Sequence, residues 1–177
     1  MTLAQAAQGL LAPDLAIMRR VNRWPAPRWL RYWMILSTRG GDGWLWAALG
    51  VAVLASRDPE RYAAFGAGAL AAALAIVTFK LIKRTVRRKR PCHIEPHCWS
   101  MLLPPDQFSF PSGHSMTAFA VAVSVGAFYP GIAAGLLACA ACVALSRILL
   151  GMHFLSDVVA GAALGTGLGW LACAIVR

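Results

Sequence analysis

A chain of 177 residues is long enough for one domain, but 59% of it is hydrophobic and only 14% charged, too little polar surface to coat a soluble globule. The net charge of +10 raises nucleic acid as a partner, yet the cations do not interleave with aromatic residues along one face as a nucleic-acid groove requires. Seven of the 17 basic residues instead fall between Lys80 and Arg90, at the end of an apolar run, where they suit an anionic headgroup or a phosphate. No nucleic-acid partner is expected.

Residues 1–42 mix six arginines with apolar residues and with Trp24, Trp29 and Trp33, and no run there is long enough to span a bilayer. They read as an amphipathic arm lying in the membrane interface, without a hydrophobic signal-peptide core near Met1. Gly40-Gly41-Asp42-Gly43 then breaks the chain, and residues 43–177 form the membrane domain. A first span covers about 44–56 and, after a polar turn at Arg57–Arg61, a second covers about 62–82. A loop with five prolines follows, too long to be a mere connector. Within it, Cys92, His93, His97 and Cys98 admit a zinc site, a disulfide or two inert thiols, although their spacing does not match the usual zinc ligand pattern. The third span starts at Ser112, the fourth follows the Tyr129-Pro130-Gly131 turn and reaches Arg147, and the last runs from near His153 to Ile175. No Asp, Glu, Lys or Arg occurs from Gln107 to Ser146 or from Val158 to Val176, as hydrocarbon burial demands. The expected fold is an all-α transmembrane bundle of about five spans, with six as the alternative, plus the N-terminal amphipathic arm.

Counting crossings brings residues distant in sequence to one membrane surface. Lys83, Arg90, Ser112, His114, Arg147, His153 and Asp157 all fall at helix ends on the same side. Ionisable groups at that depth default to a functional reading. Phosphate chemistry needs cations and N–H donors for a dianion, a nucleophile, and an acid for the leaving oxygen. Ser112 is a good helix N-cap, and the N–H groups it opens form an anion site; a plain cap beside a chance histidine is the bland alternative. Asp157 follows His153 by four residues, which places both on one helical face, so the carboxylate can fix the ring's tautomer and leave the other nitrogen to attack. The alternative there is a polar pair bridging two helices, which rarely gains stability. Lys83 and Arg90 both reach the phosphate only if the helix ends between them, as Arg90-Pro91 suggests. Arg84, Arg87, Arg88 and Lys89 read as solvated or headgroup-facing.

Lys83-x6-Arg90-Pro91, Pro111-Ser112-Gly113-His114 and Ser146-Arg147-x5-His153-x3-Asp157 resemble, in order and spacing, the three signature motifs of the type 2 phosphatidic acid phosphatase family. The resemblance implies hydrolysis of a lipid phosphomonoester or diphosphate through a phosphohistidine, with no metal or other cofactor. By that analogy His153 attacks phosphorus, Asp157 orients it, and His114 protonates the leaving lipid oxygen and then activates water. Lys83, Arg90 and Arg147 hold the phosphoryl oxygens with Ser112 and the Gly113 amide. A lipid phosphotransferase of the same family would use the same residues, and an anion carrier would need the cations but not the histidines. The substrate stays open among phosphatidic acid, phosphatidylglycerol phosphate and polyprenyl phosphates or diphosphates. The resemblance implies a bacterial inner-membrane protein, and fourteen basic residues on the catalytic side against three on the other point to a cytoplasmic active site.

Overall fold

Runs of Ala, Leu, Val and Ile without proline become helices, and the Gly and Pro clusters become turns. The computed structural model describes residues 11–95 and 106–177. Among these residues the helices follow in the order α1 (Leu11–Asn22), α2 (Arg28–Arg39), α3 (Leu45–Ala55), α4 (Arg61–Val86), α5 (Gly113–Phe128), α6 (Pro130–Leu149) and α7 (Leu155–Val176). The only β pairing among the described residues is a bridge between Lys89 and Phe108.

Helices α4, α6 and α7 are each long and apolar enough to cross a membrane. Their outer faces carry exposed Val77, Leu81, Ile132, Val159 and Trp170, surface that acyl chains solvate and water does not. The bundle is therefore an all-α transmembrane one. Helix α5 has 16 residues, about 24 Å of rise. It falls short of a full hydrocarbon core because it is the central helix, packed against α4, α6 and α7 rather than against lipid.

The expected first span differs in one respect. Helix α3 has 11 residues, about 16 Å, too short to cross alone. It continues from α2 through a π-helical turn at Gly40–Trp44, so residues 28–55 form one bent rod. The glycine cluster bends the chain instead of breaking it. The bend falls at Gly43, whose φ of 121° lies where a side chain is strained. Within this rod α2 packs on α6, burying Met34 and Thr38.

A glycine stripe sets the depth at which α5 meets α7. A Cβ on Gly161 would lie 2.6 Å from the Ser112 carbonyl oxygen, and one on Gly165 would overlap the Met116 backbone. Four-residue spacing puts both glycines on one face, the close-approach pattern of membrane helix pairs. The two N-termini are thereby locked together, with the Ser112 N–H donating to the Asp157 carbonyl at 3.0 Å.

Candidate active site

Helix α4 ends at Val86, where Arg87 takes the left-handed conformation (φ 50°, ψ 33°) and donates its N–H to the Lys83 carbonyl. Beyond it the chain is extended and bridged to Phe108, so its side chains alternate. Val86, Arg88 and Arg90 turn inward, whereas Arg87 and Lys89 face out. The helix thus stops between Lys83 and Arg90, as the motif requires. Arg88 departs from the solvated placement expected for it: it is 7% exposed and bonded to two carboxylates. Alternation in the extended segment, which a helix-based reading of the cluster misses, puts it there. Arg84 is exposed as expected.

Lys83 and Arg90 converge on one carboxylate. Lys83 Nζ donates to Asp106 Oδ2 at 2.6 Å and Arg90 Nη2 to Asp106 Oδ1 at 2.7 Å. Burial would raise the Asp106 carboxyl, but hydrogen bonds and charge from Lys83 and Arg90 outweigh it and hold the group below its usual range. Arg90, 1% exposed, also donates to the Met152 carbonyl at 2.8 Å and contacts His153 Nε2 at 3.0 Å. Arg147 gives Nη1 to Thr38 Oγ1 at 2.6 Å, while its buried Nε and Nη2 have no partner among the described residues. Unsatisfied buried donors cost about 1–3 kcal/mol each, the signature of groups kept for a ligand.

A tight turn joins Arg147 to His153. Gly151 takes φ 67°, and the His153 N–H donates back to the Arg147 carbonyl at 3.0 Å, so the two side chains are held as a unit. A guanidinium can only donate, so the Arg90 contact makes His153 Nε2 the acceptor and puts the ring proton on Nδ1. Burial, then the charges of Arg90, Arg147, Lys83 and His114, holds this imidazole well below its usual pKa of 6.5, hence neutral.

Asp157 is not placed as a helical i,i+4 partner, because His153 precedes α7. The carboxylate caps its own helix, Oδ2 accepting from the Phe154 N–H at 2.9 Å, and this leaves Oδ2 3.6 Å from His153 Nδ1. That is ion-pair range and too long for a hydrogen bond. The hydrogen bond to Oδ1 comes from Arg88 Nη1 at 2.8 Å.

Ser112 caps α5 as expected, its Oγ accepting from the Ser115 N–H at 3.4 Å and hydroxyl at 2.9 Å. Space at Gly113 is tight, since an added Cβ would sit 3.1 Å from the Phe79 ring. His114, one residue further on, has its Nε2 2.7 Å from Asp42 Oδ1 at the π-helical turn. Lys83, Arg90, Gly113, His114 and His153 line one cavity of about 350 Å³, with Asp42 and Asp106 on its walls. An apolar cavity of about 530 Å³ between α3, α4 and α5 shares Gly43, Trp46, Ile76 and Thr117 with it.

Sequence reasoning missed Asp14, Thr38, Asp42 and Asp106. A signal for three of them was present: the chain has only seven acidic residues, and Asp14, Asp42, Asp106 and Asp157 all contact the basic or histidine groups of this region. His93 and Cys92 lie at the 3₁₀ turn Pro91–His93 with Cys92 a free thiol; His97 and Cys98 lie outside the described residues.

The chain is similar to known proteins in sequence and fold. A decaprenylphosphoryl-5-phosphoribose phosphatase from Mycobacterium tuberculosis is 42% identical over 131 residues, which is 72% of this chain and 68% of that protein. A lipid A 1-phosphatase from Rhizobium etli is 35% identical over 94 residues, 51% of this chain and 39% of the relative. The crystal structure of a transmembrane PAP2 type phosphatidylglycerolphosphate phosphatase from Bacillus subtilis superposes with a TM-score of 0.76 at 25% identity, covering 98% of this chain and 90% of that one. Aquifex aeolicus LpxE gives a TM-score of 0.75 at 26% identity, over 89% and 93% of the two chains. The PAP2 superfamily model matches residues 64–177, a stretch that holds all three motifs and well over half of the sequence, and the chain belongs to that superfamily.

Proposed function

We propose that this membrane phosphatase removes a phosphate from a lipid at the bilayer surface in two steps. In the first, Arg90 turns from His153 Nε2 to the phosphoryl oxygens, and the freed Nε2 lone pair forms a bond to phosphorus while the bond from phosphorus to the lipid oxygen breaks. The lipid oxygen takes the electron pair and a proton from His114. In the second, water attacks the phosphohistidine, gives a proton back to His114, and the P–N bond breaks to release inorganic phosphate. Lys83, Arg90 and the two unpartnered N–H groups of Arg147 take the phosphoryl oxygens, assisted by the N-terminus of α5 at Ser112 and Gly113. A dianion entering the cavity displaces Asp106 from Lys83 and Arg90.

The observation that carries this reading is the convergence of His153 and a second histidine on one cavity walled by buried cations. The adjoining apolar cavity accommodates the lipid's chain, which supports a lipid over a soluble phosphate ester. The mycobacterial relative makes a polyprenylphosphoryl sugar phosphate the first substrate to test. Phosphate release from a panel of purified lipid phosphates, with chelator present, is the direct experiment; no release from any of them overturns the reading. Product analysis with a second lipid as acceptor separates hydrolysis from transfer.

The site faces the cytoplasm in this proposal. With Lys83, Arg88, Arg90 and Arg147 turned into the protein, ten basic residues remain on the catalytic side against Arg57, Arg61 and Arg177 on the other. Labelling of Cys92 by a membrane-impermeant thiol reagent in intact spheroplasts reverses the orientation.

A further inference from the structure

Asp14 is buried at 5% exposure on α1, outside the residues that the family model matches. Its Oδ1 accepts from the Ser156 N–H at 3.1 Å, and its Oδ2 accepts from the Ser156 hydroxyl and from Arg88 Nη2, the latter at 2.7 Å. Arg88 lies with its guanidinium carbon 4.4 Å from the Phe154 ring centroid and gives its other amino group to Asp157 Oδ1. Three ionic groups, each less than a tenth exposed, thus stand in a row that ends at the carboxylate facing His153 Nδ1.

Such a row gains little as a stability device, because desolvating the ions offsets their attraction. Its charge balance is informative instead. Arg88 and Asp157 alone sum to zero, and Arg88 would draw the carboxylate's charge away from the histidine. Asp14 shares the guanidinium and brings the row to a net charge of −1. That surplus faces the ring which becomes cationic when Nε2 bonds to phosphorus. We propose that Asp14 and Arg88 are positioning residues for His153, so that the N-terminal helix α1 is a working part of the active site. The inference rests on His153 being the nucleophile.

The test uses the full chain in detergent–lipid micelles, with ³²P-labelled phosphatidic acid as probe and rapid quenching to follow the phosphoenzyme. Asp14→Asn keeps the shape and removes the charge. It is expected to slow phosphoenzyme formation by about 10- to 100-fold, the usual cost of losing a partner one shell out from a reacting group, with KM unchanged. Asp14→Glu is expected to recover part of the rate. Met18→Ala, which loosens the same helix through its other buried residue, controls for packing. A wild-type rate in Asp14→Asn overturns the inference, and so does an equal slowing in Met18→Ala at matched thermal stability. If Asp14→Asn does not fold, Arg88→Lys decides, since it keeps the cation but cannot hold both carboxylates: a wild-type rate overturns the inference, and a slowing greater than that of Met18→Ala at matched thermal stability supports it. His153→Asn separates the two claims. If that variant still forms a phosphoenzyme, the nucleophile reading fails first.

Discussion

The two histidines of the site occupy opposite kinds of surroundings. His153 is 2% exposed, fixed by a turn to Arg147, contacted by Arg90 and backed by the Asp157–Arg88–Asp14 row. His114 has a side chain 18% exposed, and it leans on Asp42, which is itself 40% exposed on a bent helix. The difference matches the roles proposed for the two groups. A nucleophile has to be dry, neutral and aimed at one point. A group that protonates a leaving oxygen and then activates water has to meet solvent between the two steps. The rigid wall comes from α6, α7 and the extended Arg88–Arg90 segment, and the wetter wall from α5 and the bend at Gly43.

Substitutions along the two walls test that contrast. His153→Asn is expected to abolish turnover, a loss on the order of 10⁶-fold as for other covalent catalysts, and to leave no phosphoenzyme on acid-quenched gels. His114→Asn is expected to lower kcat by about 10²- to 10⁴-fold, with both steps slowed in single-turnover measurements. If it abolished phosphoenzyme formation as completely as His153→Asn, the assignment of roles would have to be exchanged. Asp42→Asn weakens only the orientation of His114 and is expected to cost about 10-fold in kcat. Its small effect on KM, measured with the same lipid, distinguishes it from damage to the phosphate cradle.

The rigid wall also responds to acid. His153 has a folded pKa below its ordinary value, so between the two values only the unfolded chain takes up the proton. Stability therefore falls as pH drops below about 6.5, by up to about 1.4 kcal/mol per pH unit from this group. Thermal unfolding in micelles at a series of pH values reads this slope, and His153→Asn should flatten it. The smallest effect is expected at Asp106→Asn, which frees Lys83 and Arg90 from a half-exposed carboxylate. KM should fall, by no more than about fivefold given what such pairs are worth.

Two helix ends were legible: Arg90-Pro91 must leave the helix and Ser112 must cap one, whereas the turn at Gly151 that ties Arg147 to His153 came only from the structure. Arg88 was not legible in the same way. Whether a residue in a basic run faces in or out depends on where α4 stops, and a slip of one residue in the extended strand would have exposed Arg88 and Arg90 together. Asp42 gave a similar ambiguity. A Gly-Gly-Asp-Gly string reads as a break, and only packing of α2 on α6 makes it a continuous bend aimed at His114.

The sequence by itself determined the membrane class and the helix ends at Ser112 and before Arg90-Pro91, since hydropathy and caps act over a few residues. Tertiary structure decided which carboxylates partner the catalytic groups. Asp14, Asp42 and Asp106 lie 143, 72 and 23 residues from Asp157, His114 and Lys83, the groups whose surroundings they complete. Local periodicity carries no information over such separations; the close α5–α7 approach and the docking of α1 and α2 do.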